Sequence, residues 1–280
     1  MNKIKATYVS VFLTVLTAIA GYAIYDFMAN PIAWGGVLLT TLPLLLMLVR
    51  AFLFSNLART SERLSLFTWL GVIGVVVAGY GSIKVSMPIP VVVAVVAFIG
   101  FQFYNRWYSD LDRTESELLK EGQQLPEFTV YQTDGREFSS SEFTGSPALI
   151  LFYRGNWCPL CMAQIREIAA QYKEMADKGI KIALISPQPE GHSKKLSDKF
   201  DVPFLFLVDK HNAAAQKLNI AMKNGLPLGM EVLGYDGDTV LPTALFINAE
   251  GKIVYSDQTS NYRVRPEPEE YLRVAEANGL

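Results

Sequence analysis

Residues Pro147–Ile168 read PALILFYRGNWCPLCMAQIREI. Seven uncharged residues, Pro147 to Tyr153, predict a strand buried on both faces. Arg154, Gly155 and Asn156 break the run, and a helical pattern then starts at Cys158 and extends to about Lys178, before Gly179. Pro159 fits the first helical turn, where its missing N–H costs nothing. The chain's only two cysteines, Cys158 and Cys161, therefore fall at the junction of a central strand and a helix.

The same alternation continues on both sides. FTVYQ and REFSS flank TDG, a hairpin signal, and IKIALIS and FLFLVD read as further buried strands. Helices are expected near Lys194 to Phe200 and Ala213 to Leu218. TALFINA and GKIVYSD, joined by NAEG, make a closing hairpin before the helix PEEYLRVAEA. Strands alternating with helices in this way predict an α/β sheet of thioredoxin type.

The first ~107 residues are built differently. Half of the 280 residues are hydrophobic, and they concentrate here in long uncharged runs. Four stretches approach the ~20 apolar residues that cross a bilayer. They are Ala6 to Tyr25, Ile32 to Val49 (extended through Ala51 to Phe54), Leu66 to Ile83 and Met87 to Tyr104. No small-x-small cleavage site follows the first, so it reads as a retained helix. Pro43 is a candidate kink in the second, and Gly74 and Ala78 are spaced for close helix contact in the third. The segment YSDLDRTESELLKEGQQLPEF, with Leu111, Leu118 and Leu119 among charges, predicts a short amphipathic helix leaving the membrane. The expected organisation is a transmembrane helical region over 1–107, a linker over 108–125 and a thioredoxin-like domain over 126–280.

Positive charge orients the helices. Lys3 and Lys5 precede the first span, Arg50, Arg59 and Arg63 lie between the second and third, and Arg106, Arg113 and Lys120 follow the fourth. The other two connections hold Lys84. Four spans with this bias place both termini in the cytoplasm of a bacterial-type inner membrane. A net charge of −2 supplies no basic field for nucleic acid.

Cys161 lies three residues after Cys158, on the same helix face and within reach of a disulfide. A helix start favours negative charge, so Cys158 is expected to ionise and attack while Cys161 resolves. Metal binding, a structural disulfide and accidental proximity remain alternatives. The first lacks further cysteines and has His192 and His211 as the only histidines, both expected at the surface.

The stretch from about Leu119 onward resembles the peroxiredoxin-like branch of the thioredoxin superfamily, within the alkyl hydroperoxide reductase and thiol-specific antioxidant group. LPEFTVYQTDGREF, PALILFYRGNWCPLC, LPTALFINAEGKIVY and NYRVRPEPEEYL carry the likeness. It implies a thioredoxin fold and thiol-based reduction of a hydroperoxide or disulfide. It also implies that Pro242 is a cis proline facing the cysteines, leaving backbone groups free for substrate, and that Arg265 lies near the thiolate. Arg154 is a second candidate for stabilising the thiolate, and Trp157 for shaping access. Two positions depart from the typical pattern: Leu151 and Gly155 stand where a proline and a peroxide-activating threonine are usual.

The expected activity is a membrane-anchored thiol oxidoreductase. It needs no bound cofactor and has a thioredoxin- or glutathione-type reductant and membrane lipid as partners. The competing expectation is a non-enzymatic membrane protein that binds a metal or partner through the same cysteines.

Overall fold

Four long helices open the chain in the computed structural model, which describes residues 2–53, 59–200 and 202–279. They are α1 (Asn2–Tyr25), α2 (Pro31–Leu53), α3 (Ser65–Val85) and α4 (Ile89–Phe103). Each is long and apolar enough to cross a membrane, the fourth when its continuation to Tyr108 is included. The extension of the second span to Phe54 falls outside the described residues. α2 runs through Pro43 as one helix. It packs closely on α3 because both offer small residues: a Cβ on Gly36 would collide with the backbone of Gly74 and Ala78. Thr40 and Thr41 return their hydroxyls to Gly36 and Val37 carbonyls, leaving no donor for the apolar surroundings to strand.

α4 ends in a π-helical turn, Tyr104–Tyr108. The expected amphipathic helix does not follow. The chain instead extends against the C-terminal segment, with Leu111 N–H donating to Ser260 O at 2.7 Å and Tyr262 N–H to Ser109 O at 3.1 Å. Leu119 is buried in a single 3-10 turn, Glu117–Leu119, while Leu118 stays exposed. The helical pattern lost because extended pairing satisfies the same backbone groups and seats Leu111 in the core.

Among the described residues nine strands follow: β1 (Thr129–Gln132), β2 (Glu137–Ser139), β3 (Ala148–Phe152), β4 (Lys181–Ser186), β5 (Leu205–Val208), β6 (Ala221–Met222), β7 (Thr239–Val240), β8 (Thr243–Ile247) and β9 (Ile253–Asp257). Seven form one sheet in the order β2-β1-β5-β4-β3-β8-β9. β3, β4 and β5 are parallel, whereas β8 runs antiparallel to β3, and β9 pairs antiparallel with β8 at the edge. Every residue of β3 and β8 is buried, which is why both read as unbroken apolar runs. The helices of this half are α5 (Pro159–Ala170), α6 (Tyr172–Asp177), α7 (Glu190–Lys199), α8 (Ala213–Lys217) and α9 (Pro268–Ala277). The single helix expected over Cys158 to Lys178 is thus two, divided at Gln171, whose φ of −100° and ψ of 9° leave the helical region.

The two halves share one hydrophobic core. Val9, Phe12, Met47, Tyr104 and Tyr108 pack in the same buried cluster as Phe152, Cys158 and Leu245. Polar contacts close the seam. Lys5 donates to Asp110 O at 2.6 Å and pairs with Asp112 at 2.9 Å. Arg59 pairs with Glu167 on α5. The fully buried Arg263 reaches Ser109 Oγ at 2.8 Å, Thr60 Oγ1 at 2.8 Å, Glu62 O at 2.9 Å and Asn105 Oδ1 at 2.9 Å. Truncating it would strand several buried acceptors at once. Arg263→Ala is expected to cost on the order of 3 kcal/mol, read as a lower unfolding midpoint of the full chain in detergent. A midpoint matching wild type would show that the seam does not depend on this guanidinium.

Candidate active site

Cys158 caps the N-terminus of α5 in extended conformation, φ −89° and ψ 109°. Its own amide bonds Gly155 O at 3.1 Å, and its carbonyl accepts from Met162 N at 3.1 Å, starting the helix. The sulfur therefore stands beside free amides at the positive end of the helix dipole. Gly155 is set at φ +144°, and a Cβ there would meet the Trp157 indole nitrogen at 2.7 Å. That backbone conformation favours glycine. It also explains why no threonine stands here. Gln188 fixes the turn: its Oε1 accepts from Asn156 N at 2.9 Å, and its amide donates to Tyr153 Oη at 2.9 Å and Ser193 Oγ at 3.1 Å. Asn156 in turn donates to His192 O at 3.0 Å.

Both cysteines are 1% exposed, free thiols on the first turn of one helix. Burial alone would push the Cys158 thiol up. The Cys161 thiol, the Arg154 and Arg265 guanidiniums and the Cys161 amide outweigh burial and lower it from 9.0 to about 6. Cys161 moves the other way. Burial, its hydrogen bond to Cys158 and the negative charge there hold its proton in place. One sulfur is thus poised as thiolate and the other as thiol.

The two arginines whose charge favours the thiolate come from different elements. Arg154, at the end of the β3 strand's continuation, is 4% exposed. Its Nη2 donates to Gly225 O at 2.8 Å and its guanidinium lies 4.5 Å from the Trp157 ring centroid. Arg265, 5% exposed, comes from the segment before α9, and its Nε and Nη2 have no hydrogen-bond partner. A buried guanidinium with free donors beside a nucleophile can receive a developing oxyanion. Tyr262 lines the same space, hydrogen-bonded to Tyr104, with its ring centroid 5.7 Å from Arg154. Burial and the neighbouring phenols push its hydroxyl well up, so it stays a neutral donor.

Of the residues expected from sequence, Cys158, Cys161, Arg154, Trp157 and Arg265 meet in this site. Pro242 differs. No cis peptide bond occurs among the described residues, so Leu241–Pro242 is trans. Pro242 immediately precedes β8, where Thr243 pairs with Phe152, at the sheet end that carries the cysteine loop. The backbone groups there are occupied. Leu241 N–H donates to Ile220 O at 2.7 Å, Leu241 O accepts from Thr243 Oγ1 at 2.9 Å and Pro242 O accepts from Arg113 Nη1 at 2.7 Å. The expectation of a cis Pro242 is thus corrected, and Arg113 occupies its carbonyl. Sequence reasoning missed Tyr108, Tyr262, Gln188 and this role of Arg113. The spacing of Tyr104 and Tyr108, one helical turn apart at the end of an apolar span, was a usable signal for the first.

Fold and site together define a thioredoxin-like thiol domain of peroxiredoxin type. Residues 122–256 match the AhpC/TSA family. The chain is 23% identical over 176 residues to thiol-disulfide oxidoreductase ResA of Bacillus thuringiensis subsp. konkukian, covering 62% of this chain and 87% of that protein. It is 29% identical over 104 residues to the chloroplastic peroxiredoxin Q of Populus jackii, covering 37% of this chain and 49% of that one. Among solved structures, Enterococcus faecalis AhpC superposes with a TM-score of 0.46 at 14% identity, over 57% of this chain and 92% of its own.

The charge arrangement sets a pH dependence. Cys158 is a depressed acid, so its thiolate persists down to about pH 6 and is lost below it. Titrating the thiolate absorbance of Cys161→Ser, in which the serine hydroxyl keeps a donor, is expected to give a midpoint well below that of an ordinary thiol. Adding Arg265→Met should raise that midpoint. A midpoint near 9 in both would remove the electrostatic account.

Proposed function

We propose that the chain is a membrane-anchored thiol oxidoreductase that reduces hydroperoxides or disulfides through Cys158 and Cys161. The observation that carries this reading is the placement of the pair: two buried free thiols at the start of α5, Cys158 at its N-cap and Cys161 on its first turn. The relatives named thiol-disulfide oxidoreductase and peroxiredoxin support the reaction class.

With a hydroperoxide, the Cys158 thiolate attacks the terminal oxygen. The S–O bond forms, the O–O bond breaks and the departing alkoxide takes up a proton. Arg154 and Arg265 offset the negative charge as it moves from sulfur to oxygen. Cys161 then attacks the sulfenic acid, the S–S bond forms and water leaves. With a disulfide substrate, Cys158 forms the mixed disulfide and Cys161 displaces it. An external thiol of thioredoxin or glutathione type returns two electrons to the pair. Sulfur carries every electron, so the cycle requires no resident cofactor.

The four apolar helices are read as spans, with both termini cytoplasmic by the distribution of Lys and Arg. The organisation into a membrane region over 1–107, a connecting segment over 108–125 and a thiol domain over 126–280 belongs to the same proposal. Because Tyr104 and Tyr108 contribute to the core around Cys158, the full chain is the proper test object.

The experiment compares hydroperoxide consumption and insulin disulfide reduction by the full chain in detergent. Cys158→Ser is expected to reduce both to background. Cys161→Ser is expected to stop multiple turnover and to accumulate a sulfenic acid or mixed disulfide on Cys158. Turnover by Cys158→Ser at the wild-type rate would refute the mechanism.

A further inference from the structure

The sheet half hides its large apolar side chains well, with one cluster of exceptions. Among the described residues from 109 onward, the exposed ones are Leu118, Leu228, Val232 and Leu233. Three of these four fall within six residues. Leu228 is 53% exposed, Val232 86% and Leu233 57%. Such a cluster is what a soluble surface avoids.

The segment is held in shape. A 3-10 turn, Met230–Leu233, is bracketed by Gly229 at φ +94° and Gly234 at φ +86°, both conformations that favour glycine. His192 Nε2 lies 3.0 Å from Leu233 O, and its ring stacks on Tyr235 at 4.6 Å. The one acid inside the turn, Glu231, folds its carboxylate back to accept from Gly229 N at 2.8 Å.

Its position gives the apolar side chains a partner. Leu228 N–H donates to Ala6 O at 3.3 Å, and Ser10 Oγ donates to Leu228 O at 2.8 Å. Asn2 Nδ2 donates to Lys223 O at 2.8 Å. The segment is thus strapped to the first turns of α1. At about 1.5 Å per residue, Ala6 and Ser10 lie about 6 Å and about 12 Å along the helix from Asn2. Lys3 is exposed and Lys5 is tied to Asp110 and Asp112, so the polar level lies at the start of α1. Beyond it α1 presents exposed Val11 and Val15. The exposed side chains of 228–233 thus stand beside the first turns of α1, at the depth where interfacial segments bury their apolar faces.

We propose that residues 228–233 form a membrane-inserting wedge, with Leu228, Val232 and Leu233 seated in the boundary between headgroups and acyl chains of the bilayer that holds the four helices. This rests on the membrane-anchored reading above. The wedge is tied to the site from both ends: Arg154 Nη2 donates to Gly225 O at 2.8 Å, and Thr239 Oγ1 donates to Arg154 O at 3.1 Å. Its insertion fixes the cysteine loop next to the lipid surface, where substrates that partition into the membrane are concentrated.

The test uses the full chain with Cys158→Ser and Cys161→Ser, reconstituted in phosphatidylcholine and phosphatidylglycerol vesicles. A nitroxide is attached at Val232→Cys, at Val76→Cys in the middle of α3 or at Glu137→Cys on the distant β1–β2 hairpin. Its collisions with oxygen and with a water-soluble nickel complex are compared. Val76 and Glu137 are exposed, as Val232 is, so each label is tolerated. The expected result is oxygen-dominated relaxation at 76 and 232 and nickel-dominated relaxation at 137. Lipid-like behaviour at 76 with water-like behaviour at 232 would overturn the wedge and leave the anchor standing. Water-like behaviour at 76 as well would overturn the anchor, and the wedge with it.

Discussion

A thiolate kept out of water is the constraint that organises this structure. Moving a charge into a protein interior is costly unless other charges and dipoles replace the lost hydration. Here the replacements are the start of α5, the Cys161 thiol and the guanidiniums of Arg154 and Arg265. Each of them has to be placed from a different part of the chain. β3 delivers Arg154, the turn held by Gln188 delivers the helix start, and the segment before α9 delivers Arg265. The arginines are themselves buried, so further groups hold them. Gly225 O accepts from Arg154, and Arg265 shares its surroundings with the half-buried carboxyl of Asp257.

The helical half takes part in this arrangement. Tyr108 lies at the end of α4's continuation, and Tyr104 beside it bonds Tyr262 from the C-terminal segment. The same segment carries Arg263 into a nest of Thr60, Glu62, Asn105 and Ser109. Three consecutive odd positions, 261, 263 and 265, therefore do three jobs. Asn261 bridges to Asp110, Arg263 pins the helices and Arg265 faces the thiolate. A shift of this segment would move the seam and the site together.

Much of this was legible in the sequence because it rests on local signals. The apolar runs of β3 and β8, the strand-to-helix break at Cys158 and the four long apolar helices all follow from periodicity and from where proline and glycine fall. What stayed hidden depends on contacts between distant residues. The linker's leucines promised a helix, yet pairing with Ser260 and Tyr262 drew it out straight. The long helix after Cys158 breaks at Gln171 without a glycine or proline to mark it. Pro242 carried a family expectation of a cis bond, whereas its peptide is trans and Arg113, 129 residues away, occupies its carbonyl. Gly155 looked like a missing threonine and is a backbone requirement imposed by Trp157.

The central claim is that the two sulfurs exchange electrons with a substrate as one unit. Trypsin should release residues 155–166 as one peptide holding both cysteines, between Arg154 and Arg166. The full chain would be treated with one equivalent of hydroperoxide, blocked with an alkylating agent, denatured and digested. The account predicts that this peptide appears unalkylated and two hydrogens lighter than its dithiol form, with an internal disulfide. Recovery of the doubly alkylated peptide from peroxide-treated protein, or of a disulfide joining two chains, would contradict it.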